Sequence, residues 1–516
     1  MLSTTENNKR IAKNTLILYF RMFITMAIGL YTSRIVLQTL GISDYGIYNL
    51  VGGIITMLSF LNVAMVSSSQ RFISYELGKN DATRLKIVFS TSLSIHILIA
   101  IIALILGETI GLWFINTHLN IDADRMVAAN WVYQCSIITF MINVISVPYN
   151  SCIIAHEKMS AFAYISILEV TLKLVIVFLL LLTTYDKLIV YALLILLVSI
   201  IIRYCYTIYC KRNFEECTFR FNFDKPLFKD MFFFAGWSVL GNIGFSFKDQ
   251  TSNIILNIFY GTTLNAARGI GMHVNSIVNT FSANFSMALN PQITKQYAAG
   301  NIEESRKLVY AGSRYTFYLL TLITIPIIIN VDYILELWLG IVPEYTSYFL
   351  ILSLIASLLY AISGSVTTAI QAVGNIKIFQ IGICILMILE LPISYLLLYW
   401  EYPPYSVMYP TIATYTIAIF FRFYLIKQMV KGYSFKFYIT NIIIRCFSIF
   451  TICLILCHIT TQKIEENFIG LIWSTLVSIF ITSIIVYICG INKLERNFIN
   501  KSINQIKTTI TCYLNK

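Results

Sequence analysis

Apolar residues run through this chain in long blocks, with short polar segments between them. A block of about 20 apolar residues lets one helix cross the hydrocarbon core of a bilayer. Such blocks fall near 12–36, 45–67, 84–107, 128–148, 160–183, 187–210, 229–258, 262–289, 306–330, 345–370, 376–399, 404–427, 437–459 and 467–490. The predicted fold class is all-α: a polytopic membrane protein of about fourteen transmembrane helices. Lys9, Arg10 and Lys13 precede the first block, and no small-residue cleavage site follows a short apolar core. That block therefore reads as a retained first helix, not a removed signal peptide.

The polar segments set the orientation. Arg71, Lys79, Arg84 and Lys86 lie between blocks two and three. Lys211, Arg212, Arg220, Lys225 and Lys229 lie between six and seven. Lys295, Arg306 and Lys307 follow block eight, and Lys427, Lys431 and Lys436 follow block twelve. The intervening segments are poor in cations: Val331–Tyr345 holds Asp332, Glu336 and Glu344 but no Lys or Arg. Cytoplasmic loops carry the excess of Lys and Arg, so both termini are expected in the cytoplasm.

Three pairs of segments recur at an offset of about 220 residues. Ser33-Arg-Ile-Val-Leu37 leads to Gly41 as Ser252-Asn-Ile-Ile-Leu256 leads to Gly261. Glu76-Leu-Gly78-Lys-Asn-Asp-Ala-Thr-Arg84 parallels Ala298-Ala-Gly300-Asn-Ile-Glu-Glu-Ser-Arg306, and Ile167-Leu-Glu169-Val parallels Ile388-Leu-Glu390-Leu. The expected organisation is a six-helix bundle over 1–210, a cytoplasmic linker over 211–228 and a related six-helix bundle over 229–427. Two further helices over 428–492 and a cytoplasmic tail over 493–516 complete it. Because six is even, both halves enter from the same side, as parallel repeats do, with a substrate site expected between them.

Composition supports the membrane assignment. Of 516 residues, 58% are hydrophobic and 12% charged, and the mean hydropathy is +0.75. A soluble domain has roughly a quarter of its residues charged. The net charge of +12 comes from small clusters between apolar blocks, so no nucleic-acid partner is expected. The 11 cysteines have no zinc spacing and form no framework; no metal and no cofactor is expected.

Certain motifs resemble the multidrug/oligosaccharidyl-lipid/polysaccharide exporter superfamily, and within it the Wzx-like polysaccharide transporters. They are Leu40-Gly-Ile-Ser-Asp-Tyr-Gly-Ile-Tyr48, Ala155-His-Glu-Lys158 and Asn290-Pro-Gln-Ile-Thr-Lys-Gln-Tyr-Ala-Ala-Gly-Asn301. The resemblance covers essentially the whole chain. It implies two six-helix bundles around a central cavity, working by alternating access.

Candidate chemistry lies in charges inside apolar blocks. A cation or Asp at a helix centre costs about 2.5–3.5 kcal/mol on insertion, so such residues usually face a partner or a cavity. The set is Arg21, Glu169, Lys173, Lys248, Asp249, Arg268, Arg314, Glu390 and Arg445. Helical periodicity puts Arg21 on a polar face with Asn14, Thr25 and Thr32. It lines up Asn242, Asp249 and Asn253 on block seven, and Arg268, Asn275 and Asn279 on block eight. Lys248 falls off the block-seven stripe. The competing reading of these stripes is polar seams between packed helices.

Arg21, Lys248, Arg268 and Arg314 are the expected substrate-binding cations, since a guanidinium can grip phosphate with two parallel hydrogen bonds. Glu169 has Lys173 one turn later, a spacing that makes an ion pair. Glu390 has no such helical partner and is, with Glu169, a candidate for ion coupling. No Gly-rich phosphate loop is present, so ATP hydrolysis is not expected, and no large outward loop offers a catalytic domain, so no other enzyme activity is expected.

The expected function is a flippase in the bacterial inner membrane. It would move a lipid-diphosphate-linked oligosaccharide, of the kind used for lipopolysaccharide O-antigen, between leaflets. Its partners would be membrane lipids, a polysaccharide polymerase and glycosyltransferases. The alternatives are a cation-coupled multidrug antiporter of the same superfamily and a membrane O-antigen polymerase or glycosyltransferase.

Overall fold

A computed structural model describes residues 4–56, 59–118, 121, 124–218, 224–260, 262–492 and 495–496. These residues are almost entirely helical. The first repeat comprises α1 (Thr4–Thr56), α2 (Ser59–Lys79), α3 (Ala82–Leu106), the short α4 (Leu112–His118), α5 (Met126–Ala155), α6 (Met159–Leu182) and α7 (Lys187–Asn213). The second comprises α8 (Lys225–Tyr260), α9 (Thr262–Ala298), α10 (Ile302–Ile329), α11 (Val331–Leu339), α12 (Thr346–Ile362), α13 (Gly364–Val373), α14 (Lys377–Tyr399) and α15 (Met408–Met429). Three more follow: α16 (Phe435–Tyr438), α17 (Arg445–Thr461) and α18 (Phe468–Ile485).

Eleven helices among the described residues are long and apolar enough to cross a membrane. Large apolar side chains point outward on them: Phe468, Ile469, Trp473 and Phe480 of α18 are all exposed. In water such a surface would aggregate; in lipid it is the solvated face. Fourteen blocks were expected. Block 45–67 is equally apolar but is described only over 45–56 and 59–67, whereas 229–258 and 262–289 do not reach the same apolarity. The first is divided between α1 and α2. The other two form α8 and α9, whose Ser, Asn and charged residues dilute their hydrophobicity while leaving them helical.

The repeat is visible in where helices begin. α3 and α10 start at Ala82 and Ile302, α5 and α12 at Met126 and Thr346, α6 and α14 at Met159 and Lys377, and α7 and α15 at Lys187 and Met408. Each pair is separated by about 220 residues, the offset of the sequence repeats. The corner before α3 turns through Asn80 (φ 58°) and that before α10 through Gly300 (φ 79°). Both lie in the left-handed region that suits Asn and Gly. Packing repeats too: α5 lies against α7, and α12 against α15.

The chain clusters into two compact units. Unit 1 holds the chain up to Phe247, Asn284–Leu308 and Thr368–Ile388; unit 2 holds Lys248–Ala283, Val309–Thr367 and the chain from Leu389. A core patch of unit 1 joins Leu18, Ile154, Met159 and Ala288. One in unit 2 joins Ile255, Leu256, Leu264, Phe349, Leu391 and Met408.

Motifs quoted above take specific positions in unit 1. Gly41 (φ 81°) breaks α1 in a conformation that a Cβ would strain. Beyond the break, Asp44 pairs with Arg125, which also reaches Asp186 at 2.6 Å. Burial opposes the charge on Asp186. Hydrogen bonds from Arg125 and from the Ile189 and Leu188 backbone more than offset it, leaving the carboxyl below its usual range. A depressed carboxylate pKa stabilises the fold above the unfolded value, and that stability is lost as pH falls through the folded value. Thermal unfolding in detergent should therefore fall at acid pH, and Arg125→Ala should flatten that dependence; an unchanged slope would argue against this tie.

Reporter fusions test the orientation drawn from the basic loops. Glu215 and Asn301 should report cytoplasm and Glu344 the outside. The fourth expected marker, Asn120, lies outside the described residues. Inversion at two sites would break the assignment.

Candidate functional site

The intramembrane charges of unit 2 are drawn together. Lys248 of α8 is buried, with its Nζ 3.8 Å from Glu390 Oε2 of α14 and 3.4 Å from the Tyr415 hydroxyl of α15. Thr411 donates to Glu390 Oε2 at 2.8 Å. Glu390 Oε1 is buried without a hydrogen-bond partner among the described residues. One residue along α8, Asp249 accepts from Arg268 Nη2 at 3.2 Å, and Asn253 accepts from Arg268 Nη1 at 2.5 Å. Arg268 Nε is buried without an acceptor among the described residues. Successive residues of one helix point about 100° apart, so Lys248 and Asp249 serve different neighbours.

Glu390 lacks a partner on its own helix but has Lys248 from another. Lys248 falls off the polar stripe because it faces that acid. Lys248 and Arg268, two of the expected cations, each have an acid beside them, Glu390 and Asp249.

Sequence reading missed the next layer. Arg422 of α15 is buried, donates to Ser363 Oγ at 2.6 Å and lies 5.0 Å from the Tyr360 ring. Tyr360 in turn lies 5.6 Å from Tyr415. Arg422 interrupts an apolar block, so the rule that selected the other charges also selects it. Below this network Asn275 and Asn279 both bond to Ser357 Oγ, at 2.8 and 2.9 Å. That is the polar seam between α9 and α12.

Other expected site residues lie apart from this network. Arg314 of α10 is bound to Glu495 at 2.7 Å. Arg445 donates to the Cys489 carbonyl at 2.7 Å. In unit 1, Arg21 donates to Asn284 Oδ1 at 2.9 Å and lies 4.9 Å from the Phe162 ring, while its Nε is buried without an acceptor among the described residues. Asn242 is half-buried on α8. Glu169 and Lys173 form an i, i+4 ion pair at 2.6 Å, partly exposed.

Two further motifs meet in unit 1. Glu157 of the Ala155–Lys158 segment has a fully buried carboxylate. It accepts from Lys295 Nζ at 2.6 Å and Gln292 Nε2 at 2.5 Å, and pairs as an ion with Arg10, whose Nε lies 2.7 Å away. Lys295 and Gln292 belong to the Asn290–Asn301 segment, so the two motifs are halves of one contact.

A family model described as "Polysaccharide biosynthesis protein" matches residues 11–267, and one described as "MatE" matches 238–396. No curated protein matches. A crystal structure of a MATE point mutant has a TM-score of 0.73 at 12% identity, covering 84% of this chain and 100% of that chain. An outward-facing multidrug resistance MATE family transporter has a TM-score of 0.70 at 14% identity, with the same coverage. A transporter from Pyrococcus furiosus, described as having a binding pocket of reverse polarity, has a TM-score of 0.68 at 13% identity, covering 83% of this chain and 98% of that one. At these identities the likeness establishes a shared fold of two repeated helical bundles.

Proposed function

Since this chain belongs to the multidrug/oligosaccharidyl-lipid/polysaccharide exporter superfamily and is a membrane transporter, we propose that it is a flippase for lipid-diphosphate-linked oligosaccharides. It would carry them from the inner to the outer leaflet of the bacterial cytoplasmic membrane by alternating access. The carrying observation is the pair of in-span arginines, Arg21 and Arg268, each keeping a buried Nε–H without an acceptor among the described residues. An unsatisfied buried N–H costs about 1–3 kcal/mol, and more when charged. An anionic headgroup supplies the missing acceptor. The match of the polysaccharide family model to residues 11–267 supports the same substrate class.

One observation favours the second reading, a cation-coupled multidrug antiporter. The MatE model matches 238–396, which contains the paired charges Lys248–Glu390 and Arg268–Asp249. Both readings are tested in one strain background. Expression should restore glycan export to cells lacking their own flippase and leave drug resistance unchanged. Drug resistance without glycan export would replace the flippase with the antiporter.

Coupling is assigned to Glu390 in either case. Its unsatisfied Oε1 can take up a proton or cation, with Lys248 competing for the same carboxylate. Transport by Glu390→Gln should lose its dependence on an ion gradient, and the purified protein should show no ATPase activity. Unchanged gradient dependence in Glu390→Gln would remove the assignment.

A further inference from the structure

The corner between α5 and α6 corresponds in the repeat to that between α13 and α14. Each turns through one left-handed residue: Glu157 (φ 59°) in the first and Gly374 (φ 98°) in the second. In the first corner, the Glu157 carboxylate receives Lys295, which α9 of the second repeat supplies. In the second corner there is no side chain, yet a cation still arrives from the opposite repeat. Arg71 of α2 donates through Nε to the Gln371 carbonyl at 3.1 Å and through Nη2 to the Ala372 carbonyl at 3.0 Å. A Cβ on Gly374 would lie 2.5 Å from Arg71 Nη2, so the guanidinium stands where a side chain would begin. The second corner thus holds the cation of the first without its carboxylate.

A cleft of about 400 Å³ occupies this place, wholly within unit 1. Arg71, Asp230, Phe233, Trp237 and Lys377 line it. Lys377 is exposed and holds its Nζ 5.3 Å from the Trp237 ring. Asp230 is exposed on the first turns of α8, and Phe232 and Phe233 beside it turn outward. The cleft lies at the helix ends that carry the basic loops, where a bilayer presents its headgroups.

We propose that this cleft binds the headgroup of a phospholipid carrying a phosphate and a primary ammonium. Arg71 and Lys377 take the phosphate oxygens, completing the corner as Glu157 completes its counterpart. Asp230 takes the ammonium, which also meets the face of Trp237. Phe232 and Phe233 give the acyl chains an apolar wall. A headgroup with only negative charge would set that charge against Asp230, so the site discriminates against it.

Native mass spectrometry of the purified full chain, titrated with phosphatidylethanolamine, phosphatidylglycerol or phosphatidylcholine, tests this directly. The wild type should retain phosphatidylethanolamine in preference to the other two, by about tenfold if one charge-assisted contact decides it. Lys377→Ala should weaken retention of both phosphatidylethanolamine and phosphatidylglycerol. Asp230→Asn should bring those two lipids level. Both positions are exposed, so the variants should fold; the melting temperature without added lipid checks this. Soluble phosphoethanolamine should bind far more weakly than the lipid, since it lacks acyl chains. Equal retention of all three lipids by the wild type, or unchanged selectivity in Asp230→Asn, overturns the proposal. Binding of the soluble headgroup as tight as the lipid overturns its lipid part.

Discussion

Arg268→Ala should nearly abolish glycan export while the protein reaches the membrane at its normal level. Arg268 is buried and held from two directions, by Asp249 at 3.2 Å and Asn253 at 2.5 Å. These contacts fix the plane of the guanidinium and leave Nε–H over. A charge-assisted hydrogen bond to a phosphate oxygen contributes about 1.5–3 kcal/mol, or roughly 10- to 150-fold in affinity. Losing the whole guanidinium should cost at least that factor. The fold should tolerate the change better than most buried charge deletions. The partner left behind, Asp249, has about half of its side chain exposed and rehydrates. Removal of a cation also eases insertion, by about 2.5–3.5 kcal/mol at a helix centre. Arg268→Lys keeps the charge but not the planar fork, so it should retain partial export. Export and membrane level must be measured together. Normal export by Arg268→Ala would sink the phosphate role. Loss of export with loss of protein would make Arg268 a strut between α8 and α9.

The charges of unit 2 show how far the sequence reaches. A Lys, Arg, Asp or Glu inside an apolar block is conspicuous because its cost in lipid is independent of its partners, so Lys248, Asp249, Arg268 and Glu390 stand out one by one. Their pairing does not. Lys248 and Glu390 are brought together only by the packing of α8 on α14, and no local spacing encodes that. For the same reason the net charge of a site cannot be obtained by adding in-span residues along the chain. Helix starts were legible because the repeat doubles every signal: Asn80 and Gly300 end helices in both copies. The apolarity of α8 and α9 was overestimated, since a helix lined on one face by Asn and Ser needs less hydrophobicity when that face packs on protein. Glu157 was legible only as part of a family motif; its role depends on residues from α1 and α9.

Replacing Glu157 should be the most destabilising single change in unit 1. Its carboxylate is fully buried and joins Arg10, Lys295 and Gln292, while its backbone carbonyl accepts from Asn14 Nδ2 at 3.2 Å. One residue therefore ties α1, the α5–α6 corner and the end of α9. Breaking a buried ion pair by removing one partner costs about 3–5 kcal/mol, because the other charge stays behind. The lower end applies, since Arg10 is more than a third exposed and rehydrates, whereas Lys295 is mostly covered. Glu157→Ala should then cost about 3 kcal/mol. Glu157→Gly loses the same carboxylate but relieves the left-handed strain at φ 59°, so it should recover about 1 kcal/mol of that. Glu157→Leu combined with Lys295→Met should be less destabilised than Glu157→Leu alone, since no buried cation is then orphaned. Gly78→Ala probes the same end of α9 by another route. A Cβ there would meet the Lys295 carbonyl oxygen at 2.4 Å, and backbone cannot swing aside as a side chain can, so α2 and α9 must separate. Thermal unfolding in detergent should therefore rank Glu157→Ala below Glu157→Gly, and both below wild type. Melting of Glu157→Ala at the wild-type temperature would show that Arg10 and Lys295 find water without this carboxylate, and the tie would then carry no stability.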